Sequence, residues 1–213
     1  MPSPDAALSE LAAAVLAWPP RLGDVRLVAV DGPSGAGKST FAAKLAGALA
    51  PARVTIISTD SFATWDDPVA WWPRLAEGVL EPLEHAQTGH YTKLDWTSGR
   101  PVPGERITVA PPDILILEGV SAGRKSVRPR LSALFLVIGP DPVERLERAV
   151  RRDGEASRAH LRRWQAFERG WFPVDGTFTH MEDGGGGDMG KGSTQSNWIS
   201  PACESFMFYV ARS

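Results

Sequence analysis

Short apolar runs alternate with longer amphipathic stretches along this chain. Four runs have the length and composition of buried strands: Val25–Val30, Val54–Ser58, Ile114–Leu117 and Leu134–Ile138. They are apolar almost throughout rather than at every second position, which is typical of parallel strands covered on both faces. The pattern therefore predicts a parallel sheet.

Helical patterns stand between and after these runs. We predict helices at Lys38–Leu49, within Pro68–Gln87, at Pro142–Arg152 and at Ala156–Arg169, and an amphipathic N-terminal helix at Pro4–Trp18 that packs on the domain. Strands that alternate with helices indicate a doubly wound α/β fold, in which a mostly parallel sheet lies between two helical layers. Ligands of such folds bind at the carboxyl ends of the strands.

Two segments depart from this alternation. Tyr91–Val109 is polar, aromatic and proline-rich, and we predict a hairpin or a loop over the mouth of the site. Beyond residue 178, a glycine run at Gly184–Gly187 leads into a stretch rich in Gly, Ser, Thr and Asn, which predicts a flexible, low-complexity tail over 179–213. Phe206–Val210 is a weaker candidate for a late strand. The folded domain is therefore expected to span 1–178.

The segment Gly32–Thr40 reads GPSGAGKST and satisfies the phosphate-loop pattern G-x-x-x-x-G-K-[ST] between a predicted strand and a predicted helix. Glycines let the backbone N–H groups turn toward the β- and γ-phosphates, and the helix start adds a positive dipole end. Lys38 can supply a charge to the phosphates, and the Ser39 hydroxyl can hold Mg²⁺. The residues expected to contact the nucleotide are Gly32, Ser34, Gly35, Ala36, Gly37, Lys38, Ser39 and Thr40.

Acidic residues follow two of the predicted strands. Asp60 lies just past Val54–Ser58, where a carboxylate can accept or orient the proton of an attacking hydroxyl; the alternative is a helix N-cap. Glu118 closes the strand Ile114–Leu117, a position from which phosphate-loop proteins serve Mg²⁺. An acid after a strand is common, so Glu118 gains weight only from its pairing with the phosphate loop.

Arginines are concentrated in the predicted helix Pro142–Arg152. Helical spacing places Arg145, Arg148 and Arg152 on one side, and guanidinium groups suit phosphate oxygens. The alternative is a solvated face with Glu144–Arg148 and Glu147–Arg151 pairs. We favour a catalytic role for Arg148 and Arg152.

Aromatic and polar residues in segment 60–100 are candidates for binding an acceptor. Trp65, Trp71, Trp72 and Trp96 can stack on a flat ligand or fill the core, and because Trp71 and Trp72 are adjacent, at most one of the two should line a pocket. We select Trp65 among them. Polar groups for acceptor hydroxyls are expected from Tyr91, Asp95 and Arg100, with Asp60 beside them; His90 is a further candidate, whereas His85, His160 and His180 lack metal-ligand spacing.

Composition narrows the function class. The formal net charge of −2 gives no argument for binding nucleic acid, and no apolar run reaches the length of a membrane span. The single cysteine, Cys203, suits a reducing cytoplasm, where we expect the protein to act on a small molecule. The oligomeric state is not predicted.

Together these residues resemble the uridine kinase-like branch of phosphate-loop kinases, which also includes phosphoribulokinase and pantothenate kinase. The resemblance covers roughly residues 25–153. GPSGAGKST resembles the GxSGxGKST of that branch, Asp60-Ser61-Phe62 its D-x-F, Ile114–Gly119 its strand ending in Glu-Gly, and Arg148 with Arg152-Asp153 its lid motif R-x-x-x-R-D. Tyr91…Asp95-Trp96 is loosely similar to its Y-D-F element and specifically resembles actinobacterial kinase-like proteins.

The resemblance implies ATP-dependent, Mg²⁺-dependent transfer of the γ-phosphate to a small-molecule hydroxyl, with Asp60 as the base and a lid over 145–155. Two features depart from the family pattern: Thr97–Gly99 lacks the histidine that reads the pyrimidine, and no final strand of the type A-D-h-V-h-D-G follows Trp164–Phe172. A kinase of another small metabolite therefore stays open beside a uridine or cytidine kinase. So does an ATP-binding switch without a small acceptor.

Overall fold

The computed structural model describes residues 4–178 of the 213-residue chain. The predicted tail at 179–213, with Gly184–Gly187, the candidate strand Phe206–Val210, His180 and Cys203, lies outside the described residues. In chain order, the helices and strands are α1 (Pro4–Ala17), β1 (Arg26–Asp31), α2 (Lys38–Ala48), β2 (Val54–Ser58), α3 (Trp72–Leu75), α4 (Glu81–Glu84), β3 (Gly89–Asp95), β4 (Val102–Val109), β5 (Ile114–Glu118), β6 (Leu131–Leu136), α5 (Pro142–Asp153) and α6 (Arg158–Asp175).

The central sheet has four parallel strands in the order β2-β5-β1-β6. The prediction of a parallel sheet is confirmed, although the last strand begins at Leu131 rather than Leu134. Ser132 interrupts the apolar pattern there, and its hydroxyl donates a hydrogen bond to the Pro19 carbonyl over 2.8 Å. With that polar group satisfied, the strand extends toward its N-terminus and pairs with β1 from Leu27 onward.

Helices cover both faces of the sheet, as predicted for a three-layer α/β fold. Along β1, Val28 and Val30 face a core that also contains Val15 of α1 and Phe41 of α2. The alternate residues face a second core, to which the segment after β2 contributes Trp71, Leu75 and Leu83. A strand buried on both sides has no polar face, which accounts for its unbroken apolar sequence.

The helix predicted within Pro68–Gln87 is confirmed over 72–84, where the helical backbone is continuous but its hydrogen-bond pattern changes. A π-helical turn at Ala76–Leu80 separates α3 from α4. Pro82 lies in the first turn of α4 and lacks the N–H that would continue a regular ladder into the preceding turn. Gly78 within the π-helical turn packs closely on β3, since a Cβ there would lie 2.5 Å from the His90 carbonyl oxygen.

Strands β3 and β4 form an antiparallel hairpin that is separate from the central sheet. Of the two forms considered for Tyr91–Val109, the hairpin is confirmed. It packs near the end of β2, where the rings of Phe62 and Tyr91 lie 4.9 Å apart.

The last two described helices adjoin the carboxyl edge of the sheet. The Asp141 side chain caps α5 by accepting hydrogen bonds from the N–H groups of Val143 and Glu144. A 3₁₀ turn at Glu155–Ser157 delays the start of α6, which runs six residues past the predicted end at Arg169, to Asp175. Among the helices of residues 4–178, none combines the length and apolar character needed to cross a bilayer.

Candidate active site

The phosphate loop joins β1 to α2 and depends on glycine at three positions. Gly32, Gly35 and Gly37 have φ of 138°, 74° and 99°, a region that other residues rarely adopt. A Cβ on Gly32 would lie 2.1 Å from the Val137 carbonyl oxygen, and one on Gly35 would lie 2.3 Å from the Arg145 carbonyl oxygen. The glycines therefore serve close packing as well as the turn.

Asp31, the last residue of β1, links the phosphate loop to the segment after β5. Its buried carboxylate accepts hydrogen bonds from the N–H groups of Gly32 at 2.6 Å, Ser121 at 3.0 Å and Gly123 at 2.9 Å. Burial raises the pKa of Asp31 to about 6, against the lowering effect of these N–H donors and of Lys38. Asp31 was not among the predicted site residues, although an acidic residue that ends an apolar strand just before the motif could have indicated it.

Lys38 and Ser39 begin α2 beneath the loop. The buried Lys38 ammonium donates a hydrogen bond to the Pro33 carbonyl over 3.0 Å. The Ser39 hydroxyl donates one to Glu118 Oε2 over 3.1 Å. A hydroxyl beside a carboxylate suits Mg²⁺, which takes one or two protein oxygens together with phosphate oxygens and water. Residues 4–178 hold no cluster of three or more His, Cys, Asp and Glu side chains arranged for a metal ion, so a dedicated all-protein cage is not found there.

A cavity of about 340 Å³, the loop cavity, opens above the phosphate loop. It brings together predicted site residues from four separate segments of the chain. Its lining includes Ser34, Gly35, Gly37, Lys38, Ser39 and Thr40 of the loop, with Asp60, Glu118, Arg148 and Arg152. Gly32 and Ala36 are buried beneath the loop, where Ala36 packs in the core.

Asp60 lies in a 3₁₀ turn, Thr59–Ser61, directly after β2. The Ser58 hydroxyl caps this turn by accepting a hydrogen bond from the Asp60 N–H over 3.3 Å. The capping role considered for Asp60 thus belongs to Ser58, and the exposed Asp60 carboxylate lines two neighbouring cavities.

The arginines of α5 separate into two groups. Arg148 and Arg152 line the loop cavity, where Arg148 pairs with Glu144 at 2.6 Å. Arg152 makes two hydrogen bonds of 2.6 and 2.7 Å to Asp153, and these raise the pKa of its guanidinium. Arg145 does not share this surface, because its side chain is half-buried and donates to the Pro140 carbonyl.

Of the two pairs considered under the alternative of a solvated helix face, Glu144–Arg148 forms, whereas Glu147–Arg151 is replaced by another pair. Glu147 pairs with Arg158 of α6, at 3.0 Å between Oε2 and Nη2, and Arg158 also binds Glu155. The chain turns back after α5, so a residue of the next helix lies closer to Glu147 than the residue one turn further along.

A second cavity, of about 450 Å³, adjoins the loop cavity and is called the tryptophan cavity after the residues in its walls. Its walls include Trp65, Trp96 and Trp164, and it shares Ser34, Asp60 and Arg152 with the loop cavity. The Trp65 ring meets those of Trp96 and Trp164 edge-on, at centroid distances of 5.0 and 6.1 Å, and His160 stacks on it at 4.9 Å. Trp164 was not among the predicted site residues, because nothing in the sequence brings α6 next to Trp65.

The other tryptophans of the acceptor segment belong to the body of the domain. Trp71 is 1% exposed and stacks on Phe62, as expected for a core residue. Trp72 is half-buried, and the Arg124 guanidinium lies 5.0 Å from the centre of its ring. These two do not line the tryptophan cavity.

Tyr91, Asp95 and Arg100 lie on or just beyond β3 of the hairpin. Tyr91 contacts Phe62, pairs with the Ser61 side chain and lines a third cavity, of about 420 Å³, with Arg74 and His90. Asp95 accepts hydrogen bonds from the N–H and hydroxyl of Thr97, which lower its pKa. Arg100 is exposed in the turn before β4. None of the three is in the lining of the tryptophan cavity, and their part in binding an acceptor stays a prediction.

Glu168 of α6 is a further site residue that was not predicted from the sequence. It is 2% exposed, and its Oε1 accepts a hydrogen bond from the Ser34 N–H over 2.9 Å and another from the Ser34 hydroxyl. Burial raises its pKa, while Lys38, Ser34 and Arg145 act in the opposite direction. A signal was available: Glu168 is the charged member of a buried stripe that repeats at helical spacing, with Leu161, Gln165 and Phe172.

No protein-family model matches the sequence, and comparison with curated proteins finds no match. Solved structures with a similar fold include two kinase-titled proteins. One is entitled "Structure of a Possible Uridine Kinase from Bacillus stearothermophilus", with 19% identity, a TM-score of 0.51, and coverage of 76% of this chain and 94% of the other. The second is a "putative fructose transport system kinase from Silicibacter sp. TM1040", with 20% identity, a TM-score of 0.58, and coverage of 76% and 92%. The chain shares with these two structures a three-layer α/β fold, in which helices cover both faces of a mostly parallel sheet, as predicted.

Proposed function

We propose that this protein is an ATP-dependent kinase that transfers the γ-phosphate to a hydroxyl of a small molecule. The observation that carries the proposal is the meeting of two cavities at Asp60 and Arg152. The phosphate loop lines one of them and tryptophans line the other. A donor and an acceptor bound in the two cavities would therefore face each other across a carboxylate and a guanidinium.

The phosphate loop would hold the donor. Backbone N–H groups from Gly35 to Thr40 would donate hydrogen bonds to the phosphate oxygens. Lys38 would exchange its hydrogen bond to the Pro33 carbonyl for one to a phosphate oxygen. Ser39 and Glu118 would hold Mg²⁺, which neutralises charge on the phosphates. In this assignment Gly32 shapes the loop rather than contacting the nucleotide, and Ala36, whose side chain packs in the core, offers only its backbone.

Asp60 would act on the acceptor. Its carboxylate takes or orients the proton of the acceptor hydroxyl while the oxygen attacks the γ-phosphorus and the bond to the ADP oxygen breaks. Arg148 and Arg152 would leave their carboxylate partners to stabilise the transferred phosphoryl group. Catalysis would come chiefly from positioning and electrostatic stabilisation.

The acceptor of the phosphoryl group would be a small metabolite free in solution rather than a nucleic acid or a membrane lipid. Uridine, cytidine or another nucleoside is supported by the motif resemblance and by the uridine kinase named among the similar structures. A sugar is supported by the kinase named for a fructose transport system. Trp65 and Trp96 would bind either one, since aromatic faces stack on nucleobases and on sugar rings.

The direct test is a screen for acceptor-dependent ADP release over nucleosides, sugars and vitamin precursors, with Lys38→Ala as the control. We expect one class of acceptor to stimulate release well above the variant. If release never exceeds that of Lys38→Ala, the kinase assignment is wrong, and an ATP-binding switch without an acceptor becomes the better description.

Asp60→Asn separates these two functions further. We expect a loss of about 10²- to 10⁴-fold in acceptor-dependent turnover, the usual size of a general-base contribution, with MgATP affinity retained. The matched control is Asp66→Asn, an exposed carboxylate in the same segment. Equal activity of the two variants would exclude Asp60 as the base.

A further inference from the structure

The carboxylate of Glu168 reaches the phosphate loop from α6, across 134 residues of chain. It is 2% exposed and accepts two hydrogen bonds from Ser34, one from the N–H and one from the hydroxyl. Carboxylates are seldom buried this deeply because removing their charge from water is costly. Glu168 is such a buried carboxylate, and it lies where α6 contacts the phosphate loop.

The first half of the loop is anchored to three different elements. Asp31 of β1 holds the N–H of Gly32, and Gly35 lies against the backbone of α5 at Arg145. Ser34 stands between these two anchors, and Glu168 provides the third. The second half of the loop, which begins α2, lines the loop cavity with Lys38 and Ser39, and Ser34 and Gly35 line the same cavity from the first half.

Cations stand on two sides of the Glu168 carboxylate. Lys38 approaches from α2 and Arg145 from α5, and both act to favour its charged form. The same carboxylate therefore contacts the loop directly at Ser34 and acts electrostatically on the loop lysine. It also connects α6, which supplies Trp164 to the second cavity, to the nucleotide side of the site.

We propose that Glu168 is a positioning residue that holds the phosphate loop in its nucleotide-binding conformation. The inference rests on the proposed function but uses only its nucleotide-binding half. A loop freed at Ser34 would have to be ordered when the phosphates bind, and the lost conformational entropy would lower the affinity. The hydrogen bonds to Ser34, rather than the negative charge, are what the loop requires.

Three variants test this assignment by calorimetric titration with MgATP at a temperature where all of them are folded. Glu168→Ala removes both hydrogen bonds. Glu168→Gln removes the charge but keeps both bonds, because both go to Oε1 of the carboxylate and an amide oxygen in its place can accept from the Ser34 N–H and from the hydroxyl. Phe172→Leu is the control, since Phe172 is a buried residue of the same helix whose truncation disturbs packing without touching Ser34.

We expect Glu168→Ala to weaken MgATP binding about tenfold, equivalent to about 1.4 kcal/mol. Glu168→Gln should stay within about threefold of the wild type, which is under about 0.7 kcal/mol. Affinity in Glu168→Ala equal to that of Phe172→Leu, or a Gln variant as weak as the Ala variant, would overturn the positioning role. Ser34→Ala keeps the test decisive if Glu168→Ala does not fold: it removes one of the two hydrogen bonds, and an affinity identical to the wild type would count against the proposal. Failure of the wild-type protein to bind MgATP would instead refute the proposed function.

Discussion

The hydroxyl of Ser39 donates a hydrogen bond to Glu118 Oε2 over 3.1 Å, joining the first turn of α2 to the end of β5. The two residues are 79 positions apart in the sequence. They meet because β1 and β5 are adjacent parallel strands, so their carboxyl ends lie at the same edge of the sheet. Across that edge, a hydroxyl and a carboxylate present oxygen atoms to one small volume.

This pair leads to a prediction about Mg²⁺. Glu118→Gln and Ser39→Ala should each raise the Mg²⁺ concentration for half-maximal ADP release by about 10- to 100-fold, since each removes an oxygen ligand or its hydrogen-bonded partner. The measurement is a Mg²⁺ titration at saturating ATP. Glu105→Gln, an exposed carboxylate of β4, should leave the titration unchanged. An unaltered Mg²⁺ requirement in both site variants would contradict the assignment.

Arg148 and Arg151 offer a matched comparison within α5. Arg148 lines the loop cavity, whereas Arg151 is exposed one turn further along. Arg148→Gln should reduce turnover by about 10²-fold, because the guanidinium would no longer stabilise charge on the transferred group. Arg151→Gln should retain turnover close to that of the wild type. Steady-state ADP release decides between them, and equal losses would indicate a general effect of positive charge.

The tryptophan cavity can be tested at Trp164. Trp164→Leu should raise the KM for the acceptor about 3- to 10-fold, the range expected from loss of aromatic contacts, and leave MgATP affinity unchanged. Trp18→Leu is the control, because Trp18 packs on the opposite face of the sheet. A change in MgATP affinity without a change in acceptor KM would mean that Trp164 serves the donor side.

The buried carboxylate of Asp31 should make the free energy of unfolding depend on pH. Burial raises the pKa of Asp31 from its ordinary value of 3.8 to about 6, so the folded state binds more protons than the unfolded chain between these two pH values. The free energy of unfolding should therefore decrease as pH rises from about 4 to 6, by roughly 1.4 kcal/mol per pH unit or about 3 kcal/mol in total, and then level off.

Urea unfolding of the wild type and of Asp31→Asn, at intervals from about pH 4 to pH 7, isolates this contribution. The stability of the wild type relative to the variant should decline over that window, because the variant lacks the titrating group. Parallel pH profiles for the two proteins would show that Asp31 titrates as it does in the unfolded chain.

The sequence predicted the parts of the site that depend on local chemistry. The phosphate loop could be read because its glycines meet conformational demands within a few residues. Asp60 and Glu118 could be predicted to lie near the loop, because buried parallel strands are recognisable as apolar runs. The carboxyl ends of such strands lie at one edge of the sheet.

The sequence by itself determined the fold class and the phosphate-loop half of the candidate site, since both follow from short-range patterns. Only the tertiary structure decided that Trp164 faces Trp65, that Arg158 takes Glu147, and that Glu168 holds Ser34. These contacts depend on the angle at which α6 packs against α5. That angle is set by packing among residues far apart in the chain, and no local spacing records it.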